Sequence, residues 1–347
     1  MRWRQGAAEW LLSAAASGWR SAASVAGAGG CGSGGAAARA GGPAGAAAGK
    51  RGAAAAGPQK KLGLKDVQHI VAITSAKGGV GKSTTAVNVA VALATRLGLR
   101  VGLLDADIHG PSIPTLMNLR GKPELDKSGT GALMLPKENY RVKTMSFGFF
   151  LEGDEPVVWR GPMVNNAFDK MLFGTAWGPL DVLVVDMPPG TGDAQINLGQ
   201  RIPLSGAALV STPQDVALID VRRGAQMFLK LRVPLLGLVE NMAYHRCSSC
   251  GHVEHIFGTG GVERAAADYG IDVIGQVPLH VDIQTRSDAG TPVVAAAPQG
   301  ELAAAYVGIA QRLHAKLLAL GGGGGGVAAG GGGGGAAAGG APKIIIE

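Results

Sequence analysis

The sequence predicts a doubly wound α/β fold, a mostly parallel sheet of about seven or eight strands with helices on both faces. Three observations predict it. Short, continuous apolar runs rich in Val, Ile and Leu recur along the chain, as in strands buried on both sides. Helical stretches separate them. Each polar cluster with chemistry to offer directly follows one of the runs, as expected where ligands gather at the carboxyl ends of parallel strands.

In chain order, the first strand falls at 69–75, where Val71, Ala72, Ile73 and Thr74 precede a glycine-rich turn. Further strands are expected at 101–105, 142–149, 182–187, 207–212, 235–242 and 273–277. Helices are expected over about 83–97, 162–173, 215–231, 261–269 and 300–319. In the last of these, Leu302, Tyr306, Ile309, Leu313 and Leu317 recur at helical spacing, a face made to pack on the sheet. One folded domain then spans 66–320, preceded by a leader at 1–65 and followed by a flexible Gly/Ala-rich tail at 321–347. The terminal string from Lys343 to Glu347 has no physical account.

The 347 residues carry 32 basic and 25 acidic side chains, a formal charge of +7. Residues 1–65 hold nine of the basic groups (Arg2, Arg4, Arg20, Arg39, Lys50, Arg51, Lys60, Lys61, Lys65) and one acid, Glu9. Without them 23 bases face 24 acids, so the body has no electrostatic footprint for DNA or RNA. The Ala, Gly, Ser and Arg of the leader, with Trp3, Trp10, Leu11, Leu12 and Trp19 on a basic amphipathic start, read as an organelle transit peptide. The expected destination is the mitochondrial matrix, with the plastid stroma as rival. No apolar run reaches the ~18 residues that span a bilayer.

The stretch KGGVGKSTT carries the strongest signal. Gly78, Gly79, Val80 and Gly81 turn the chain so that backbone N–H groups converge on phosphate oxygens, and Lys82, Ser83 and Thr84 open a helix. Lys82 reaches the β/γ-phosphates and Ser83 ligates Mg²⁺, which makes this a nucleotide site. The next strand ends LLDADIHGPS, where Asp105 and Asp107 emerge beside the loop, able to hold Mg²⁺ or orient the attacking water. DVLVVDMPPGTGD places Asp186 at a strand end near Mg²⁺. Pro188 and Pro189 stiffen the following turn, in which the Gly190 amide is expected to face the γ-phosphate and Asp193 to cap a helix. Asn241, at the end of LVEN, and Pro278 end two later strands.

Of three cysteines, Cys31 lies in the leader, and Cys247 and Cys250 form C-S-S-C. So few cysteines exclude a secreted disulfide scaffold. Three readings of the pair compete. Cys247, Cys250, His252 and His255 make a zinc site within one chain; the pair cycles as a redox dithiol; or two chains each contribute a pair to one 4Fe–4S cluster, which needs four thiolates.

Lysine at position 77 resembles the signature lysine of the deviant Walker A, MinD/ParA-like ATPases, which implies a homodimer with Lys77 reaching the partner's nucleotide. AKGGVGKSTTAVN, DADIHGPSIP, VVWRGPM, VVDMPPGTGD, STPQDVALID and NMAYHRCSSCGH, in order over about 66–318, resemble the Mrp/ApbC family of iron–sulfur cluster carrier ATPases, most of all its mitochondrial NUBPL-type members. The resemblance implies a slow Mg²⁺-dependent ATPase in which Lys77, Lys82 and Asp107 are catalytic, and Gly78 to Thr84, Gly190, Asn241 and Pro278 bind ATP. It also implies Mg²⁺ on Ser83, Asp105 and Asp186, and a 4Fe–4S cluster on Cys247 and Cys250 shared between subunits. Expected partners are a second copy and apo client proteins, with complex I subunits foremost, and neither nucleic acid nor an integral membrane segment. His109 departs from the residue usual in that string. The contrasting reading is a positioning switch that cycles on membrane or DNA, and a third is a zinc-stabilised scaffold.

Overall fold

The computed structural model describes residues 62–108, 110–126, 133–151 and 161–321. The leader up to residue 61, His109 and the tail beyond 321 lie outside the described residues.

Eight strands form the central sheet: β1 (Val67–Thr74), β2 (Val101–Asp105), β3 (Lys137–Asn139), β4 (Val142–Ser146), β5 (Leu180–Asp186), β6 (Gly206–Ser211), β7 (Leu235–Asn241) and β8 (Val273–Val277). Their order is β8-β7-β6-β1-β5-β2-β4-β3, parallel except for the β3–β4 pair. The chain thus starts in mid-sheet and winds outward both ways, and the topological switch beside β1 opens the ligand crevice. Seven helices matter here: α1 (Lys82–Thr95), α2 (Gly161–Phe173), α3 (Asp193–Arg201), α4 (Asp215–Lys230), α5 (Gly261–Asp268), α6 (Val281–Asp288) and α7 (Glu301–Gly321).

Strand alternation divides the core. Val71, Ile73, Val182 and Val184 face α1 and α7, while Ile70, Ala72, Leu183 and Val185 face α2 and the Phe168–Trp177 cluster. Helix α1 is central and buried along most of its length, and its Ala and Val side chains are small enough for the sheet and α7 to close over it. The expected stripe on α7 packs as its spacing requires: Tyr306, Ile309, Leu313 and Leu317 are fully buried, and Leu302 packs on the same cluster.

The differences from the sequence reading are local. The strand expected over 142–149 stops at Ser146, whose hydroxyl accepts the Gly148 N–H and turns Phe147–Phe150 into a 3-10 helix. Edge strand β3 is polar (KEN) and has no apolar run. It pairs with β4 through Tyr140 and Arg141, both at positive φ (49° and 62°), as a two-residue hairpin requires. Helix α3 starts at Asp193, but Gly192 holds the N-cap position that was expected of Asp193. Helix α6 lacks an apolar face to announce it. The folded body also begins before residue 66, since Leu64 is fully buried and Gly63 packs against the Phe173 and Thr175 carbonyls.

Candidate functional site

Parallel register brings the chemistry together at one sheet edge. Asp186 lies opposite Ile73 of β1 on one side and Asp105 of β2 on the other. The loop from Ser75 to Gly81 leaves β1 there and delivers Lys82 as the first residue of α1. Gly79 and Gly81 take the left-handed conformation (φ 79° and 82°), which other residues adopt at a cost. A Cβ on Gly78 or Gly79 would meet nothing within 4 Å, so the loop is an open cradle of backbone donors. Lys77 is exposed on this loop. Ser83 and Thr84 are half-buried in the first turn of α1.

Lys82 is nearly buried, and its Nζ donates to Asp186 Oδ1 at 2.6 Å and to Ser83 Oγ at 3.2 Å. Ser83 Oγ in turn donates to Asp186 Oδ2 at 2.6 Å. Cation, hydroxyl and carboxylate therefore form one closed cluster. Burial raises the pKa of Asp186, and the Lys82 ammonium pulls it back. The donor set suits a Mg–nucleotide: an ammonium and backbone N–H groups for phosphate, a hydroxyl and a carboxylate for a hard cation.

Asp105, expected on Mg²⁺, is engaged by the protein itself in this structure. Its carboxyl is fully buried and occupied: Ser146 Oγ donates to Oδ2 at 2.9 Å, Ile113 N at 3.3 Å, and Asp107 N donates to Oδ1 at 3.2 Å. Burial first, then the charge of Asp186, pushes its pKa up to about 8. It acts here as the anchor of the 106–113 loop. Asp107 is half-buried beyond it, and Oδ1 accepts the Gly110 N–H at 3.3 Å. Gly190 is engaged by the protein as well. Its N–H donates to the Ser75 carbonyl at 3.0 Å, because the Pro-Pro-Gly turn folds back on the end of β1, and so it does not stand free to face a phosphate.

Asn241, at the end of β7, sends its Nδ2 to the Val80 carbonyl at 2.8 Å and braces the phosphate loop from below. A Cβ on Gly81 would lie 2.2 Å from that nitrogen, which is why glycine stands there. Pro278 is buried just past Val277, the register partner of Asn241, so the two share one rim of the crevice.

Sequence reasoning missed Gln195. Buried on α3, it donates from Nε2 to Thr74 Oγ1 (2.6 Å) and to the Pro188 carbonyl (2.8 Å), tying the Pro-Pro-Gly turn to β1. Its only signal in the sequence is its place two residues after Asp193. Ser146 was missed for a similar reason, since its partner Asp105 is 41 positions away.

Beginning six residues beyond Asn241, the cysteines sit on a small hairpin whose arms are His245–Arg246 and Val253–Glu254. Cys247 N–H donates to the His252 carbonyl and Gly251 N–H to the Cys247 carbonyl, both at 2.9 Å, and Gly251 takes φ 73° to close the turn. Cys247 is half-buried and Cys250 exposed, both as free thiols. Hydrogen bonds from the Cys250 and Ser249 N–H groups, then from the Cys250 side chain, lower the pKa of Cys247, favouring the thiolate that binds metal. Among the described residues no group of three or more His, Cys, Asp and Glu is placed to hold a metal ion, so the single-chain zinc reading with His252 and His255 fails. His252 is exposed, and His255 Nδ1 is engaged by the Ala243 carbonyl at 3.0 Å. No helix of the described residues is long and apolar enough to cross a membrane.

Known proteins resemble this chain in sequence and in fold. Residues 66–314 match the family described as "ParA: NUBPL iron-transfer P-loop NTPase". An Arabidopsis thaliana protein named "Iron-sulfur protein required for NADH dehydrogenase, mitochondrial" is 53% identical over 257 residues, 74% of this chain and 81% of that one. The mouse "Iron-sulfur cluster transfer protein NUBPL" is 51% identical over 262 residues, covering 75% and 81%. The "Iron-sulfur cluster carrier protein" of Escherichia coli K12 is 50% identical over 255 residues, covering 74% and 68%. Among solved structures, an Archaeoglobus fulgidus nucleotide-binding protein in complex with ADP superposes with a TM-score of 0.58 at 36% identity, covering 66% of this chain and 89% of that one. The Pyrococcus furiosus cell division ATPase MinD, at 20% identity and TM-score 0.53 (71% of this chain, 98% of that one), shares the fold. The chain belongs to the NUBPL-type iron-transfer family of P-loop NTPases.

Proposed function

We propose that the chain is an ATP-dependent carrier of iron–sulfur clusters that holds a 4Fe–4S cube between Cys247 and Cys250 of two copies and delivers it to apo-proteins, complex I subunits foremost. The carrying observation is the pair of accessible thiols at the tip of a hairpin that springs from the sheet edge holding the phosphate loop. A cube takes four thiolates, and one folded body supplies two. The names of the plant, mouse and bacterial relatives support the cargo, and that of the plant relative supports the client and a mitochondrial location. The matrix, reached by the transit leader read at 1–65, is therefore favoured over the plastid stroma.

The residues divide the ATPase work by position. Gly78 to Thr84 hold the phosphates through backbone N–H groups and the α1 N-terminus. Lys82 exchanges Asp186 for the β/γ-phosphates. Ser83, with Asp186 behind it, would hold Mg²⁺, which neutralises charge on the phosphate oxygens. Asp107 orients the water whose oxygen bonds to the γ-phosphorus as the bond to ADP breaks. Asn241 and Pro278 border the base, and exposed Lys77 reaches the second copy's nucleotide. Gly190 reports on the γ-phosphate by giving up Ser75. Hydrolysis is slow and resets the carrier.

Anaerobic reconstitution tests the reading. The full chain should acquire iron–sulfur absorbance, and Cys247→Ala or Cys250→Ala should abolish it. Full cluster absorbance in either variant overturns it.

A further inference from the structure

The exposed His255 has no part in the site as drawn so far, yet it is held from two sides. Its Nδ1 lies 3.0 Å from the Ala243 carbonyl, and its ring stands edge-on to Tyr244 with centroids 6.3 Å apart. A carbonyl only accepts, so Nδ1 carries the proton and donates. Ala243 is fixed on its other side as well, since its N–H donates to the Val277 carbonyl at 3.0 Å. Between Ala243 and Asn241 stands Met242 at φ 56°, a left-handed residue at which the chain turns out of the sheet. Asn241 grips the phosphate loop at Val80. Buried Glu240, one residue earlier, accepts from Gln276 Nε2 at 2.7 Å.

The hairpin is short, with two paired residues on each arm, and two ladder pairs hold little by themselves. His255 follows its second arm and reaches back across the base to Ala243, before its first arm. The geometry points to His255 as a positioning residue, which clamps the cysteine hairpin to the strand end from which Asn241 holds the phosphate loop. The two thiols and the phosphate loop then share one short link: Val80, Asn241, Met242, Ala243 and His255. This rests on the carrier reading only for its consequence, that nucleotide in the loop changes the setting of Cys247.

The test is peptide-resolved alkylation of Cys247 by iodoacetamide in the cargo-free full chain, read by mass spectrometry so that Cys31 does not interfere. His255→Phe keeps a ring against Tyr244 and loses the donor, while in His255→Asn a carboxamide N–H stands in for Nδ1–H. Without nucleotide, His255→Phe should raise the rate about fivefold, the population shift from losing one hydrogen bond, and His255→Asn should stay at the wild-type rate. The ¹⁵N spectrum of the wild-type ring should show the Nδ1–H tautomer. With ATP, the wild-type rate should change and that of His255→Phe should not, although it still binds ATP. Equal rates in wild type and His255→Phe, or equal gains in both variants, overturn the clamp. A wild-type chain that binds ATP without any change at Cys247 overturns the link. Failure to bind ATP overturns the proposed function instead, and the nucleotide-free arm still decides the clamp.

Discussion

Lys82 and Asp186 show how one contact serves structure and chemistry at once. Their ion pair is buried on both sides, so removing the lysine strands a carboxylate without its cation, at a cost of about 3–5 kcal/mol. Lys82→Ala should therefore lose both nucleotide binding and thermal stability. Lys82→Met combined with Asp186→Asn, which leaves no buried charge, should regain most of the stability and none of the ATPase. A double variant as unstable as the single one, in thermal melts, would show that the pair is not the source of the loss. Asp105 gives a pH signature of its own. Its folded pKa of about 8 exceeds the ordinary carboxylate value, so the native state holds a proton that the unfolded chain releases. That contribution is fully present below about pH 4 and is lost as pH rises toward 8. Between pH 6 and 9 the melting temperature of the wild type should fall more steeply than that of Asp105→Asn, which cannot ionise there. Parallel slopes would contradict the assignment.

The elements were legible where packing writes a period into the sequence. The β1, β2, β5 and β6 runs are apolar on both faces because helices cover both faces, and the α7 stripe recurs every three or four residues because one side of it meets the sheet. The same reading passed over β3 and α6, and marked α3 only by a cap at Asp193. These lie at the edge or are mainly polar, and their turns and caps rest on backbone conformation that sequence composition does not record. Within α7 the packing makes two predictions of opposite sign. Leu313→Ala opens a cavity under a fully buried side chain and should cost about 2–5 kcal/mol. Tyr306→Phe should stabilise by about 1 kcal/mol, since the buried hydroxyl has no partner among the described residues. Denaturant midpoints of the two variants would check both, and a destabilised Tyr306→Phe would point to a partner for that hydroxyl.

For the whole molecule, the candidate site was legible as motifs and illegible as contacts. The glycines, Lys82, Ser83 and Asp186 announce themselves because phosphate chemistry demands them at fixed spacing. The grip of Asn241 on Val80, that of Gln195 on Thr74 and that of Ser146 on Asp105 join residues 161, 121 and 41 positions apart, and only the sheet order brings them together. That order also explains how a nucleotide can matter to the cysteines: both sites hang from the carboxyl end of β7 and its neighbours. Coupling of ~1.4 kcal/mol between them is enough for a tenfold change in cluster retention. The central claim remains one of stoichiometry, because the described residues of one chain present two thiols where a cube takes four. Native mass spectrometry of the anaerobically reconstituted chain, with iron and sulfide counted on the same sample, tests it directly. One 4Fe–4S cluster on a dimer is the predicted result; a monomer bearing a complete cluster would contradict it.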